Sequence, residues 1–315
     1  MGTASMIAAV PFASGVWSPS PDIRPLERSD DPRVLAAEPA GWLEQKRAVM
    51  QARSRGLHIG AADGADVGAL DRVLRRLASI ALRERPEHAE PVTGGVRDRR
   101  SGSQWRSEAD DLYLERAADG AGSNPGLWDS VALLMAEDLA IVHWDEASQS
   151  ERLEYVHVCF PSAWDPSSKL GRSFASVHEP VANAERVRQA GAAMMRMCTL
   201  RGPFIRWAWG LHTDGRLNHH PLTGRACDEP DTDDPAEVAA GTWLRLERQV
   251  LLPFPEVSRT AFLIGVYVYP LSVLTGRAER DALASTLRSM PPEALAYKSL
   301  MRRRDPLVRW LESGF

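Results

Sequence analysis

The chain is poor in cysteine and has no long apolar run. Its three cysteines, Cys159, Cys198 and Cys227, are odd in number and far apart in 315 residues. This usage is typical of a reducing compartment and argues against a disulfide framework or a zinc knuckle. No apolar run approaches the roughly 20 residues that cross a bilayer, and the opening MGTASMIAAVPF lacks the basic region of a secretory signal. We therefore expect a cytoplasmic protein that does not enter a membrane.

An excess of basic charge is also missing. Lys and Arg number 38 against 42 Asp and Glu, so the formal net charge is −4. Nucleic acid is excluded as the expected partner, because its binding depends on neutralising phosphates. With 44% hydrophobic and 25% charged residues, the composition is typical of a globular protein with a sizeable core.

Patterning along the chain predicts an α+β fold. Residues 1–40 are rich in Pro, Ser and Asp and indicate an extended N-terminal arm, while 86–104 and 213–240 are expected to be polar, exposed loops. Strands grouped together, with helices before, between and after them, favour a mostly antiparallel sheet with flanking helices. Helical spacing predicts helices at about 40–54, 65–84, 126–138, 184–199 and 291–312, and the five strand candidates are 139–144, 154–160, 204–211, 242–252 and 261–271.

One segment carries a family resemblance. Residues 155–181 read YVHVCFPSAWDPSSKLGRSFASVHEPV, which resembles the pattern C-x-P-S-x-W-D-P…K-x-G…I-H-x-P-V of the haem-dependent oxidative N-demethylases. One departure lies in a later step, where the family pattern is R-x-N-W and this chain has Ala208 in place of asparagine. Further steps resemble the family in matching order: Pro11-Phe12, Arg24-Pro25-Leu26, Gly41-Trp42-Leu43, Lys46-Arg47, Ala136-Glu137-Asp138-Leu139, Arg206-Trp207-Ala208-Trp209, Glu247-Arg248-Gln249, Tyr267-Val268-Tyr269-Pro270-Leu271, Tyr297-Lys298 and Trp310-Leu311.

The resemblance implies a fold and a cofactor. It implies one PAS-like domain over residues 1–315, with a five-stranded sheet, an N-terminal helical extension (about 1–125) and C-terminal helices (about 276–315). That domain would bind a b-type haem (heme b), with His178 as the axial ligand of the iron. A neutral imidazole nitrogen is a suitable donor for that position. His157, in the middle of a predicted strand, is the rival, although a half-buried strand histidine explains it better. Cys159 is expected to be a small core residue.

The resemblance also implies an activity. This is a monooxygenase reaction in which a small amine loses an N-methyl or related N-alkyl group as an aldehyde, at the expense of O₂. Electrons would come from a separate NADPH-dependent reductase with flavin and iron–sulfur centres, because this chain has no dinucleotide fingerprint and no clustered cysteines. The alternatives are a haem-based gas or redox sensor without turnover, a biosynthetic haem oxygenase acting on a larger amine, and a scaffold subunit without haem. The oligomeric state is left open.

Several charged or aromatic residues are candidates for the site. In 242–252, Arg248 is the polar member of an alternating apolar set and needs an anionic partner, either a haem propionate or a protein carboxylate such as Glu137 or Asp138. Arg206 and Lys169 are further propionate candidates, and Trp209 is either a pocket wall or core.

Glu137 and Asp138 are themselves candidate catalytic residues. Near a haem, this pair could orient an ammonium substrate or accept its proton. The alternative is a structural bond to the sheet or to a nearby arginine. His219 and His220, adjacent in an expected loop, are interpreted as exposed and are not proposed as a metal site.

Overall fold

The fold is α+β and contains two antiparallel sheets. The computed structural model describes residues 7–19, 22–108, 111–119, 126–177, 184–223 and 231–313. The strands are β1 (Arg24–Pro25), β2 (Ile59–Ala61), β3 (Ala89–Val92), β4 (Gly95–Asp98), β5 (Gln104–Glu108), β6 (Asp111–Arg116), β7 (Asp138–Asp145), β8 (Ser150–His157), β9 (Phe204–His212), β10 (Trp243–Phe254) and β11 (Arg259–Pro270). The larger sheet has the order β1-β9-β10-β11-β7-β8-β2, and the smaller one β3-β4-β5-β6.

Helices lie before, between and after the strands of the large sheet. The second helix shows why such segments form: Asp66 accepts a hydrogen bond from the Ala69 amide at its start, and its apolar stripe is buried. Within the described ranges, no helix is long and apolar enough to cross a membrane. The helices are α1 (Trp42–Gln51), α2 (Val67–Glu84), α3 (Leu127–Ala132), α4 (Phe174–Val177), α5 (Ala184–Leu200), α6 (Pro235–Ala240), α7 (Arg277–Ser289), α8 (Pro292–Tyr297) and α9 (Arg304–Glu312).

The predicted strands and their antiparallel pairing are confirmed, but the predicted number is too low. All five candidates form β7 to β11 in the large sheet, and every pairing in that sheet is antiparallel. The short strands β1 and β2 extend it to seven, pairing with β9 and β8 respectively. Two or three residues are too few to show a period of two, so alternation could not reveal them.

One face of the large sheet, here called the packed face, carries the main core. Helix α2 lies against its β7, β8 and β11 side, and Leu77 and Tyr155 are fully buried there. The C-terminal helices cover the side formed by β9 and β10, where Leu246 and Leu283 belong to one cluster. Phe12 and Leu35 of the arm are also buried in these two clusters, so the arm completes the core.

The other face, here called the open face, is covered unevenly. Met195 and Cys198 of α5 pack against Trp144 and Leu251 at one end of it. Towards the other end, residues on β9, β10 and β11 remain only partly buried. These residues are Arg206, Ala208, Gly210, Glu247 and Val268.

Two local predictions were wrong. The expected loop 86–104 contains β3, β4 and the start of β5, and Trp105 of β5 is fully buried. Gly94, at a φ of 78°, turns the chain between β3 and β4, and four-residue strands give little periodicity. The single helix expected at 291–312 is divided into α8 and α9, because Ser299 has a φ of 53° and interrupts the helical backbone.

Candidate functional site

Small side chains lie at the centre of the open face. Ala208 of β9 is paired with Glu247 of β10, and the next position on this face, Gly210, is paired with Arg245. A Cβ atom placed on Gly210 would meet only the His212 ring within 4 Å among the described residues. The strands therefore leave room for a flat ligand to lie against them.

A row of polar side chains runs along β10 beside this space. The Arg245 Nε donates to Glu247 Oε1 at 2.9 Å, and the Gln249 Nε2 donates to Glu247 Oε2 at 2.8 Å. Arg245 also donates from Nη1 to the Leu217 carbonyl at 2.8 Å and from Nη2 to the Phe160 carbonyl at 2.5 Å. Arg245 thus joins β10 to the end of β8 and to the segment after β9.

Arg206 presents an incompletely paired cation on the same face. It lies on β9 opposite Gln249, and its Nε is buried without a hydrogen-bond partner among the described residues. Burial lowers the pKa of Arg206, and the charges of Glu247 and Asp22 only partly oppose this shift. A desolvated guanidinium of this kind has room for one more anion.

Arg248 lies on the packed face, away from Arg206. Its Nη1 donates to the Val34 carbonyl at 3.0 Å, and its Nη2 donates to the carbonyls of Asp31, at 3.0 Å, and Arg33. Burial lowers the pKa of Arg248. Backbone carbonyls of the arm thus accept from both Nη atoms of this cation, while its Nε is buried without a hydrogen-bond partner among the described residues.

Trp209 is likewise on the packed face. Its ring makes an edge-on contact with Phe12, with centroids 5.6 Å apart, and its carbonyl accepts from Lys298 Nζ at 2.7 Å. Of the two interpretations of Trp209, these contacts support the core.

Lys169 lies beside the segment that leads to the predicted iron ligand. It ends a short 3-10 turn, and its Nζ donates to the Val177 carbonyl at 3.3 Å. Val177 packs against the open-face cluster that includes Ala140 and Val156. His178 itself lies outside the described residues.

Glu137 and Asp138 are fully buried at the start of β7. Asp138 accepts from the Cys159 amide at 2.8 Å and from the Phe160 amide at 2.7 Å, and burial raises its pKa to about 6. Glu137 accepts from the Ala36 amide, and burial raises its pKa too. Both carboxylates therefore bind backbone amides, which matches the structural bond to the sheet.

His157 belongs to a buried polar group on the packed-face side of β8. Its Nε2 lies 3.6 Å from Asp129 Oδ1, which also accepts from Arg55 Nη2 at 2.6 Å. Burial lowers the pKa of His157 to about 4, so the ring is neutral at pH 7. Cys159 is buried in the core as expected, and burial raises the pKa of its thiol.

The expectation that His219 and His220 are exposed was wrong. Both are buried, and the ring of each packs at a tilt against a further histidine: His219 against His212, with centroids 4.6 Å apart, and His220 against His58, with centroids 4.7 Å apart. Adjacent side chains do point to opposite sides, as the sequence suggested. His219 Nε2 lies 2.7 Å from Asp214 Oδ1. In the described ranges, no three His, Cys, Asp or Glu residues are grouped as a metal site.

Comparison with protein families identifies the chain. The sequence model of the family described as haem-dependent oxidative N-demethylase, alpha subunit-like, matches residues 101–308. The matched range covers more than half of the 315 residues and includes the 155–181 segment. The chain belongs to this family. The resembling steps before residue 101 and after residue 308 lie outside the match.

The open face of this family member fits a haem. A planar macrocycle needs a flat surface with small side chains, which Ala208 and Gly210 provide, and apolar contacts such as Val268, which lies in the row of Gly210. Its propionates need cations, and the buried Nε of Arg206 has no hydrogen-bond partner within the described part of the chain. Arg206 therefore fits as the cation that this face offers to a propionate, whereas Arg248 lies on the packed face.

Proposed function

We propose that the protein is a haem-dependent monooxygenase that removes an N-methyl or closely related N-alkyl group from a small amine. The match of the N-demethylase family over residues 101–308 carries this proposal. For a methyl group the reaction balances as amine–CH₃ + O₂ + 2 electrons + 2 protons giving amine–H + formaldehyde + water. The bound haem would supply O₂ activation and oxidation of the carbon next to nitrogen.

His178 is the proposed axial ligand of the haem iron, in a PAS-like domain. It follows Val177, which packs on the open face, and Lys169 holds the Val177 carbonyl. This bond would restrain the backbone immediately before His178 and so help to orient its ring. Arg206 would pair with a propionate, while Glu137 and Asp138 would hold the surrounding backbone by their amide contacts.

The two electrons would come from a separate reductase chain carrying flavin and iron–sulfur centres. Supporting this division, the described cysteines Cys159 and Cys198 are both buried and belong to different clusters, so they are not grouped as ligands of an iron–sulfur centre. We expect NADPH to bind to that partner.

The test is a Soret band in the purified, haem-reconstituted protein. We expect this band in the wild type, and its loss or a shift to a high-spin, weakly bound form in His178→Ala, because the iron loses its protein ligand. A matched control is His88→Ala, in the 3-10 turn just before β3 of the smaller sheet, which should retain the spectrum. A wild-type protein without a Soret band would contradict the proposal.

Turnover distinguishes the enzyme from a sensor. With a chemical or enzymatic electron donor, O₂ and dimethylamine, we expect formaldehyde release that depends on His178. Reversible binding of O₂ or CO without aldehyde from any of a panel of small and larger amines would instead indicate a sensor.

A further inference from the structure

An amine substrate creates a charge requirement in this site. Alkylamines are protonated at neutral pH, and an ammonium group that enters an apolar pocket without an anion is strongly destabilised. Strands β9, β10 and β11 form the centre of the large sheet and are described along their whole length. Among their residues, Glu247 is the one carboxylate.

Glu247 is held in place as a fixed anion. Its two oxygens accept from Arg245 Nε and Gln249 Nε2, both of which belong to buried side chains on the same strand face. A carboxylate has about four acceptor positions, so these two bonds leave capacity on both oxygens. The Glu247 side chain is 17% exposed, against 2% for Arg245, and is therefore within reach of a ligand.

The direct cross-strand partners of Glu247 do not compete for that capacity. Its cross-strand partners on the open face are Ala208 on β9 and Val266 on β11, neither of which has a polar side chain. Asparagine at position 208 would have placed an amide opposite the carboxylate, whereas Ala208 leaves this side to the ligand.

The other buried carboxylates are poorer sites for an ammonium group. Asp138 uses both oxygens for the Cys159 and Phe160 amides, and Glu137 is bonded to the arm through Ala36. Asp138 is fully buried at the start of β7 and Glu137 is buried just before it, whereas Glu247 lies at the centre of the open face beside Ala208.

The charged side chains of the open face can each be assigned a partner. Arg245 shares its guanidinium with the Leu217 and Phe160 carbonyls as well as with Glu247. Arg206 is proposed to pair with a propionate, which leaves the Glu247 carboxylate as the group that matches a positively charged substrate.

We propose that Glu247 binds the ammonium group of the substrate on the open face and selects protonated small secondary or tertiary amines over neutral molecules of the same shape. This inference rests on the proposed haem-dependent function.

The test measures binding, not turnover. Dimethylammonium is titrated into the haem-loaded protein at pH 7.5, and Kd is obtained from calorimetry and from the change in the Soret band; dimethyl ether serves as the neutral molecule of similar shape. In Glu247→Gln we expect the Kd of dimethylammonium to rise at least tenfold, with haem content and ether binding unchanged. The matched control is Glu256→Gln, at an exposed site beyond the far end of β10, which should behave as wild type.

The outcomes separate the two proposals. A wild-type protein without a Soret band overturns the proposed function and this inference with it. A wild-type Soret band with an unchanged Kd in Glu247→Gln overturns the role of Glu247 alone, as does loss of haem from a variant whose circular dichroism is native. If Glu247→Gln does not fold, Glu247→Asp is measured, and a Kd within twofold of wild type overturns the inference, because a shortened carboxylate should no longer reach the ammonium group.

Discussion

At the scale of single residues, two arginines on adjacent strands have different surroundings. The Nε of each is buried without a hydrogen-bond partner among the described residues. Arg206 of β9 is on the open face, while Arg248 of β10 is on the packed face and donates from both Nη atoms to carbonyls of the arm. The sequence made Arg248 the stronger propionate candidate, because alternation identified a cation on an apolar face. It could not show that backbone carbonyls, which no residue type reveals, would accept its hydrogen bonds.

Substitution of the two arginines should separate haem binding from folding. We expect Arg206→Met to weaken haem affinity about tenfold, equivalent to about 1.4 kcal/mol, with little loss of stability. Arg248→Met should leave haem affinity nearly unchanged but lower the free energy of unfolding by about 3 kcal/mol, since buried carbonyls lose charged donors. Haem titration and urea unfolding of the apoprotein measure the two quantities. The reverse pattern would assign the propionate to Arg248.

At the scale of elements, the buried Lys46 docks α1 against the start of β7. Its Nζ donates to the carbonyls of Ala132 at 3.2 Å, Met135 at 3.1 Å and Glu137 at 2.6 Å. The three N–H donors of one ammonium group thus bind the backbone where the chain passes from α3 into β7. Glu137 lies just before the first residue of that strand, Asp138.

Removal of this ammonium group should loosen the junction. We expect Lys46→Met to lower the free energy of unfolding by about 3 kcal/mol, because three buried carbonyls lose their donor while the apolar stem is retained. Urea unfolding followed by circular dichroism measures the loss. Arg53→Met, at an exposed position just after α1, is the control and should change stability by less than about 0.5 kcal/mol. Equal effects of both substitutions would show that Lys46 does not fix the junction.

The elements differ in how far sequence could predict them. The five long strands and α2 can be predicted from the sequence pattern, because each is long enough to show a sustained apolar repeat. The short strands β3 and β4 cannot be predicted in this way. Each has only four residues, and together with Gly94 between them they resemble a polar loop. The burial of His219 and His220 was also missed, because it depends on His212 and His58, which are distant in sequence. For the candidate site, the sequence could name Arg206 as a propionate candidate. The proposed role of Glu247 in binding an ammonium group depends on its pairing with Ala208 in the sheet.

At the scale of the whole molecule, buried neutral histidines couple stability to pH. Burial is the largest cause of a lowered pKa for His58, His157, His212 and His219, and His157 falls to about 4. A histidine with a lowered folded-state pKa contributes stability that is complete above its unfolded pKa near 6.5 and is lost as pH falls. Asp138, raised to about 6, and Glu137, whose pKa burial also raises, act in the opposite sense above their unfolded values, but they are two groups against these four histidines.

We therefore expect the free energy of unfolding to fall steeply on acidification from pH 7 to pH 5. Each buried histidine that must stay neutral contributes up to about 1.4 kcal/mol per pH unit, so the slope reports how many protons the unfolded chain takes up. Urea unfolding at half-unit pH steps measures it. His157→Gln should reduce the slope by up to one proton, whereas Val156→Ala, a neighbouring buried position without a titrating group, should lower the whole curve and keep its slope. A flat profile in the wild type, or an unchanged slope in His157→Gln, would show that these histidines are not held neutral by the fold.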